Sequence, residues 1–263
     1  MQVIPALQPV IFGGRGFTIE AKTLFAAMNV KPPIQRKIVI NDCIVALKNG
    51  GVWSELDGLA VFAAADSQAA LLNWINPGTF NFSENNSPTF TANVGYTGNG
   101  TNAFLSCSYN LSSSGGQYAQ NAATIFGWDN TTAQDGKAFM GLNASTGAPG
   151  MRLYSRYTDD NNYSTVNSAS EDAYVNTDGK GFYSVSRRSS TALEAYKDGV
   201  SKATPTRTSI ALPNDTITIL GEGVNYHSGQ VLCIGWGDQL TTAQHLALYN
   251  ALHTYMQAVA GVA

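Results

Sequence analysis

The closing stretch of the chain, 228–256, constrains the fold more than any other segment. It begins with a nearly continuous apolar run, 230–235, which predicts a buried strand. Thr241 then stands three residues before Gln244, the spacing of a capping box at a helix start. Apolar residues follow at helical intervals, and we expect them to pack on the sheet: Leu246, Tyr249, Leu252 and Met256. Such an ending requires a sheet beside the strand and a surface that receives the helix.

From Pro77 onward the sequence alternates short apolar runs with turn residues. Candidate strands cover 89–92, 103–106, 122–128, 138–142, 151–157, 173–175, 182–187, 193–197, 216–220 and 230–235. Turns at this short spacing favour an antiparallel sandwich or barrel. The clearest hairpin has Asp198-Gly199 at its turn, a pair suited to the positive φ angles of type I′. We therefore predict a mainly β domain over 77–263, closed by the C-terminal helix.

The residues before Pro77 have a different texture. Thr18 can cap a helix that runs to Met28, a second helix is expected from Pro33 to about Lys48, and a third over 68–74. The zone 18–76 is thus predicted to be a helical lead-in to the sandwich. Residues 1–17 combine two prolines with a glycine cluster, which excludes a stable helix. Two alternatives stay open for them: a tail lying on the surface, or an extended arm that docks on a neighbouring subunit.

Composition excludes several classes of function. Only 13% of the residues are charged, against about 25% in a typical soluble protein. A net charge of −3 provides no basic footprint for nucleic acid or an anionic membrane, and neither partner is expected. No apolar run approaches the ~20 residues of a membrane span, and no signal peptide is evident. The three cysteines, at 43, 107 and 233, include no C-x-x-C pair, which disfavours a disulfide-stapled scaffold but leaves one disulfide open.

Several local motifs, taken in their order along the chain, resemble a family of tailed-bacteriophage virion proteins. They are 33–62, Asn73-Trp74, 85–91, 95–100, Tyr196-Lys-Asp-Gly-Val200 and Leu240-Thr-Thr-Ala-Gln244. In that family a helical lead-in precedes a laminin-G-like or concanavalin-A-like jelly roll. The resemblance implies an antiparallel jelly-roll sandwich in a structural, tail-associated protein located in the virion. It also implies a homo-oligomer that contacts other virion proteins, with residues 1–17 as the candidate contact, and it brings no catalytic residue.

Recognition of a host-surface glycan is the chemistry that the residues favour. In the predicted strand 151–157, alternation places Arg152, Tyr154 and Arg156 on one face. The opposite face, Met151, Leu153, Ser155 and Tyr157, is expected in the core. An aromatic ring between guanidinium groups can stack on a sugar and bind its hydroxyls. Trp128 and Tyr163 are predicted to add stacking surfaces. An ordinary solvated outer face is the alternative.

Calcium is the one metal that the sequence suggests. Asp159, Asp160 and Asn161 concentrate side-chain oxygens in one predicted loop, and the resemblance implies that such loops can hold Ca²⁺. The spacing of an EF-hand is absent, and an Asx-rich turn is the alternative.

No arrangement of residues indicates catalysis. Glu171 and Asp172 are adjacent, so on a strand they face opposite sides and cannot form the paired carboxylates of a glycosidase. His245 and His253 lie eight residues apart, about two helical turns, which is too far to share a metal. We therefore expect a protein that is not an enzyme. Two alternatives remain open, a head-decoration protein without a ligand and a glycan-degrading enzyme on a concanavalin-A-like fold.

Overall fold

The computed structural model describes residues 16–132, 134–142 and 150–261. Nearly all of the predicted N-terminal arm, 1–15, lies outside the described residues. The four α-helices of this part of the chain are α1 (Ile19–Ala27), α2 (Ile34–Asn49), α3 (Ser67–Ala70) and α4 (Thr242–Ala260). A single 3₁₀ turn spans Trp53–Glu55. None of the described helices is both long enough and apolar enough to span a membrane.

The described strands form two antiparallel sheets. The first sheet contains β1 (Leu56–Val61), β3 (Thr89–Thr91), β4 (Gly95–Thr97), β6 (Ala123–Asp129), β11 (Gly181–Arg187), β12 (Leu193–Lys197), β13 (Val200–Ala203) and β15 (Gln230–Gly237). The second contains β2 (Ser83–Asn85), β5 (Phe104–Asn110), β7 (Met140–Leu142), β8 (Gly150–Tyr154), β9 (Asn161–Ser168), β10 (Asp172–Val175) and β14 (Thr216–Ile219). This arrangement confirms the predicted mainly β, antiparallel jelly-roll sandwich.

The order of the strands places the chain's closing strand at the centre of the first sheet. That order is β13-β12-β11-β6-β15-β4-β3, with β1 also paired to β15, and the second sheet runs β10-β9-β8-β7-β14-β5-β2. Aromatic side chains meet between the sheets: Trp236 of β15 lies 5.1 Å from Tyr109 of β5 by ring centroids. Because β1 belongs to the segment 18–76, the helical lead-in contributes a strand to the sandwich.

Helices α2 and α4 cover the outer face of the first sheet. His245 on α4 lies between Ser184 and Ser186 of β11, and the Tyr255 hydroxyl donates to the carbonyl of Ala63. On β15, Gly235 leaves room for the Phe126 ring of the neighbouring strand, since a Cβ there would lie 2.1 Å from that ring. The capping box at Thr241 and Gln244 is formed as predicted.

The structure corrects the predicted face of α4. Leu246 is 46% exposed, and Tyr249 is only partly buried. The buried face consists of His245, Leu248, Ala251, Leu252, Tyr255 and Met256. The buried face of the helix includes a polar residue, His245. This is possible because the hydroxyls of Ser184 and Ser186 form hydrogen bonds with both of its ring nitrogens.

Other differences concern the short elements. Two segments that are not among the candidate strands, 161–168 and 95–97, form β9 and β4. Strand β8 ends at Tyr154, three residues earlier than the predicted strand 151–157. The hairpin turn is confirmed, with φ of +52° at Asp198 and +74° at Gly199. All three cysteines are buried free thiols.

Candidate functional site

Three tyrosines form an aromatic cluster in the second sheet, at the end where β8 is connected to β9. Tyr154, at the end of β8, pairs directly with Tyr163 of β9, so both rings stand on the same sheet face. Tyr157 follows in the loop between the two strands. The ring centroids are 5.7 Å apart for Tyr154–Tyr157, 6.4 Å for Tyr154–Tyr163 and 5.3 Å for Tyr157–Tyr163, all edge to face. We call these three residues the tyrosine cluster.

The cluster presents two of its rings to solvent. Tyr157 is 37% exposed and Tyr163 is half-buried, whereas Tyr154 is buried beneath them. The prediction that Tyr157 faces the core is wrong. Because β8 ends at Tyr154, the alternation of faces does not continue beyond that residue. The result is a corner of two tyrosine rings, a surface on which a sugar ring can stack.

Arg156 stands beside the tyrosine cluster in a fixed ion pair. Its Nε and Nη2 donate to Oδ1 of Asp160 at 2.8 and 2.6 Å, and its Nη1 donates to the Thr132 carbonyl at 3.2 Å. The Gln134 amide donates to the same Asp160 oxygen at 2.8 Å. The guanidinium is therefore oriented by the fold, and its charge is balanced locally.

Arg152 is balanced by two carboxylates. Its Nη1 donates to Glu171 at 3.2 Å, and its Nε forms an ion pair with Glu222. The buried Glu222 also accepts from the Tyr154 hydroxyl at 3.2 Å. Burial raises the pKa of Glu171, and Arg152 opposes that rise. Neither predicted arginine is thus free to receive the carboxylate of an acidic sugar without loss of an existing ion pair.

The predicted calcium ligands are held by separate donors. Asp159 accepts from the Asn161 amide at 3.2 Å and from the Tyr163 hydroxyl at 2.8 Å, and these hydrogen bonds lower the pKa of Asp159. The Asp160 carboxylate faces Arg156 instead. Within the described ranges, no three His, Cys, Asp or Glu side chains converge to hold a metal ion.

Trp128 is not brought to the tyrosine cluster. It lies on the outer face of the first sheet, beneath α4, and is 3% exposed. The structure therefore gathers four of the five predicted glycan-binding residues at one edge of the second sheet and places the fifth on the other sheet.

A buried charged cluster, which the sequence pattern did not indicate, closes the same end of the sandwich. His227 lies between Asp129 and Asp135, with ring nitrogens 3.2 and 2.9 Å from their carboxylates. Burial alone would lower the pKa of His227, but the two aspartates raise it to about 10. Ser155 donates to Asp129 rather than to the histidine. His227, the two aspartates and the Ser155 hydroxyl thus form one buried polar cluster.

Comparison with known proteins shows the fold class. No protein-family model matches the chain, and no curated protein is detectably similar in sequence. A Trypanosoma rangeli sialidase in complex with the inhibitor DANA superposes with a TM-score of 0.56 at 13% identity, covering 82% of this chain and 38% of that one. The botulinum neurotoxin serotype D ligand binding domain, in complex with N-acetylneuraminic acid, gives 0.51 at 11% identity, covering 78% and 52%.

These similarities agree with the antiparallel β-sandwich described above. At such low identity they concern the fold alone, and the chain spans less than two thirds of either of these structures. They do not bear on the predicted virion role.

Proposed function

We propose that this protein is a non-enzymatic glycan-binding protein and that the tyrosine cluster is its binding face. The observation that carries the proposal is the solvent-facing corner of Tyr157 and Tyr163 beside the oriented Arg156–Asp160 pair. An exposed ring supplies a stacking surface, and a fixed donor–acceptor pair can bind two adjacent sugar hydroxyls. The shared fold of a sialidase and of a toxin domain bound to N-acetylneuraminic acid supports carbohydrate as the ligand class.

The charges around the cluster favour a neutral sugar over an acidic one. Arg156 is paired with Asp160, and Arg152 with Glu171 and Glu222. Asp159 adds a further carboxylate at the rim. A sialic acid carboxylate would have to approach this surplus of negative charge, whereas a hexose would only exchange hydrogen bonds with it.

Binding to host-surface polysaccharides tests the proposal. Neutral and sialylated glycans on an array, followed by calorimetry of the neutral ones, should show neutral binders only. Replacement of the exposed ring, Tyr157→Ala, should weaken binding about tenfold, or ~1.4 kcal/mol. Tyr157→Phe retains the ring and should bind like the wild type, as should the surface variant Ile19→Ala, since Ile19 is 71% exposed on α1 and lies outside the second sheet.

Two results would contradict this assignment. The first is wild-type affinity in Tyr157→Ala. The second is release of new reducing ends or unsaturated products when the purified protein is incubated with the polysaccharide, because turnover would make the protein an enzyme.

We also propose that the protein acts in the virion of a tailed phage, as a homo-oligomer that contacts other virion proteins through residues 1–17. The order of the sequence motifs supports this role. Mass spectrometry of purified particles should find the protein at a fixed copy number, and light scattering should find the isolated protein as an oligomer. Its absence from purified particles would reject the virion role without affecting the sugar site.

A further inference from the structure

A cleft on the outer face of the first sheet, across the sandwich from the tyrosine cluster, has the features of a second ligand site. It measures about 490 Å³ and lies between the C-terminal half of α4 and the ends of β11 and β12. Its lining includes Trp128, Tyr249, Asn130, Lys180, Lys197 and Asp198. The volume falls within the roughly 300–1,000 Å³ that is usual for small-molecule sites.

The wall of the cleft is a stack of flat rings. The Tyr249 ring lies 5.9 Å from Trp128 at an interplanar angle of 24°, and 5.1 Å from His253 at 11°. Trp128 is buried at the base, whereas Tyr249 is partly exposed. Since the rings are nearly parallel and hold each other in place, the wall offers a rigid apolar surface for a ring-shaped ligand.

The rim of the cleft supplies oriented polar groups. Lys197 donates to the Asn176 side chain at 2.7 Å and to the Asp178 carbonyl at 2.8 Å, and burial lowers its pKa. Asp198 accepts from the Phe182 amide through one carboxylate oxygen. Within the described part of the chain, neither Lys180 nor Lys197 forms an ion pair with a carboxylate. Hydrogen-bond donors and acceptors, including positively and negatively charged side chains, therefore line this cleft, which suits a ligand with many hydroxyls.

The cleft is connected to the tyrosine cluster through one side chain. The Asn176 amide donates to the carbonyl of Ser155 at 2.6 Å and accepts from Lys197. Ser155 lies between Tyr154 and Arg156 in sequence. Both surfaces thus occupy the same end of the sandwich and share a buried hydrogen-bonded support.

We infer that this cleft is a second carbohydrate site, in which a sugar ring stacks on Tyr249 and its hydroxyls bind the groups around Lys180, Lys197 and Asp198. The inference rests on the proposed function for the ligand class but not for the location. Two sugar sites at one end would let a polysaccharide bind with higher avidity than either site alone.

Indole N–H resonances provide the test, because Trp128 lines this cleft and belongs to the other sheet from the tyrosine cluster. Glucose, galactose, mannose and N-acetylglucosamine are each titrated into the ¹⁵N-labelled protein. At least one should shift the Trp128 indole peak in a saturable manner, while the Trp53 peak stays in place. Lys180→Ala should weaken this titration about threefold to tenfold, and Lys202→Ala, an exposed lysine on β13 outside the cleft, should leave it unchanged. Tyr249→Ala should abolish the shift of the Trp128 peak. If Tyr249→Ala does not fold, Lys180→Ala is the variant that tests the site.

The outcomes separate the two sites. A Trp128 shift that persists in Tyr157→Ala supports a separate site, even if the tyrosine cluster itself proves inert. Loss of the shift in Tyr157→Ala would assign the sugar to the tyrosine cluster and overturn the inference. No Trp128 shift with any of the four sugars would overturn it as well.

Discussion

Acidification should destabilise the sandwich through one histidine on α4. His245 is fully buried, its two ring nitrogens lie 2.8 Å from the hydroxyls of Ser184 and Ser186, and its ring stacks on Tyr196 at 3.8 Å. Burial, with a smaller effect of the nearby Arg188, lowers the pKa of His245 from 6.5 to about 3. The folded protein therefore keeps this imidazole neutral at pH values where the unfolded chain protonates it.

The sign and the size of the pH effect on stability follow from the difference between the pKa of His245 in the folded and in the unfolded state. Above pH 6.5 neither state binds the proton, so His245 has no effect on the pH dependence of stability. Between pH 6.5 and 3 only the unfolded state binds it, and stability falls as the pH is lowered. At ~1.4 kcal/mol per pH unit, the loss between pH 7 and pH 4 is about 3 kcal/mol. Urea unfolding at both pH values measures it, and imidazole carbon-bound proton resonances report the titration directly.

The variant His245→Gln isolates the contribution, since glutamine can hydrogen-bond both serines but does not titrate. Carboxylate effects are common to both proteins and cancel in the comparison. The effect of His227 on the pH dependence of stability has the opposite sign. Its pKa is raised to about 10, so its stabilisation is complete below pH 6.5 and is lost only as the pH rises through 10. We expect the variant to lose about 3 kcal/mol less than the wild type between pH 7 and 4. A His245 resonance that titrates near pH 6.5 in the folded wild type would refute the reasoning.

Three further perturbations have expected outcomes. Thr241→Ala removes the capping box of α4 and should cost about 1 kcal/mol in urea unfolding, with Thr254→Ala, in the exposed last turns of α4, as the milder control. Gly199→Ala forces a side chain into φ +74°, with its Cβ 3.0 Å from Leu246, and should cost at least ~1 kcal/mol; an unchanged melting temperature would contradict the assigned turn. The thiols of Cys43 and Cys107, whose pKa burial raises to about 12, should resist a disulfide reagent until the protein unfolds, and rapid native labelling would contradict their burial.

Helices and strands with a clear hydrophobic periodicity are predictable from the sequence. Strand β9 shows why other strands are not. Its buried polar residues include Asn162, Ser164 and Asn167, the last at an irregularity of the strand. Asn167 donates to the carbonyls of Ala119 and Gln120 and accepts from Tyr118. A strand with polar side chains at buried positions shows no alternation of apolar and polar residues, so periodicity does not mark it as a strand.

The candidate site was predictable only in part for the same reason. Within β8 the alternation is confirmed, since Met151 and Leu153 are fully buried and Arg152 is on the opposite face. The neighbours that define the chemistry come from elsewhere: Tyr163 from the unpredicted β9, and Glu171 and Glu222 from distant segments. Sequence spacing contains no information on such ion pairs, so the sequence alone does not show that both arginines are already paired.

The helix layer explains why the predicted sugar-binding residues divide between two places. Helix α4 covers the outer face of the first sheet around Trp128, whereas Tyr157 and Tyr163 of the tyrosine cluster reach solvent at the second sheet. Trp128 belongs to the covered face, so it reaches solvent only where the layer ends, at the cleft beside Tyr249. Under the proposed function, the tyrosine cluster and the cleft are therefore two separate sugar-binding surfaces. In that proposal, the pairing of Arg152 and Arg156 with carboxylates is the reason to expect that the tyrosine cluster prefers a neutral ring over an acidic one.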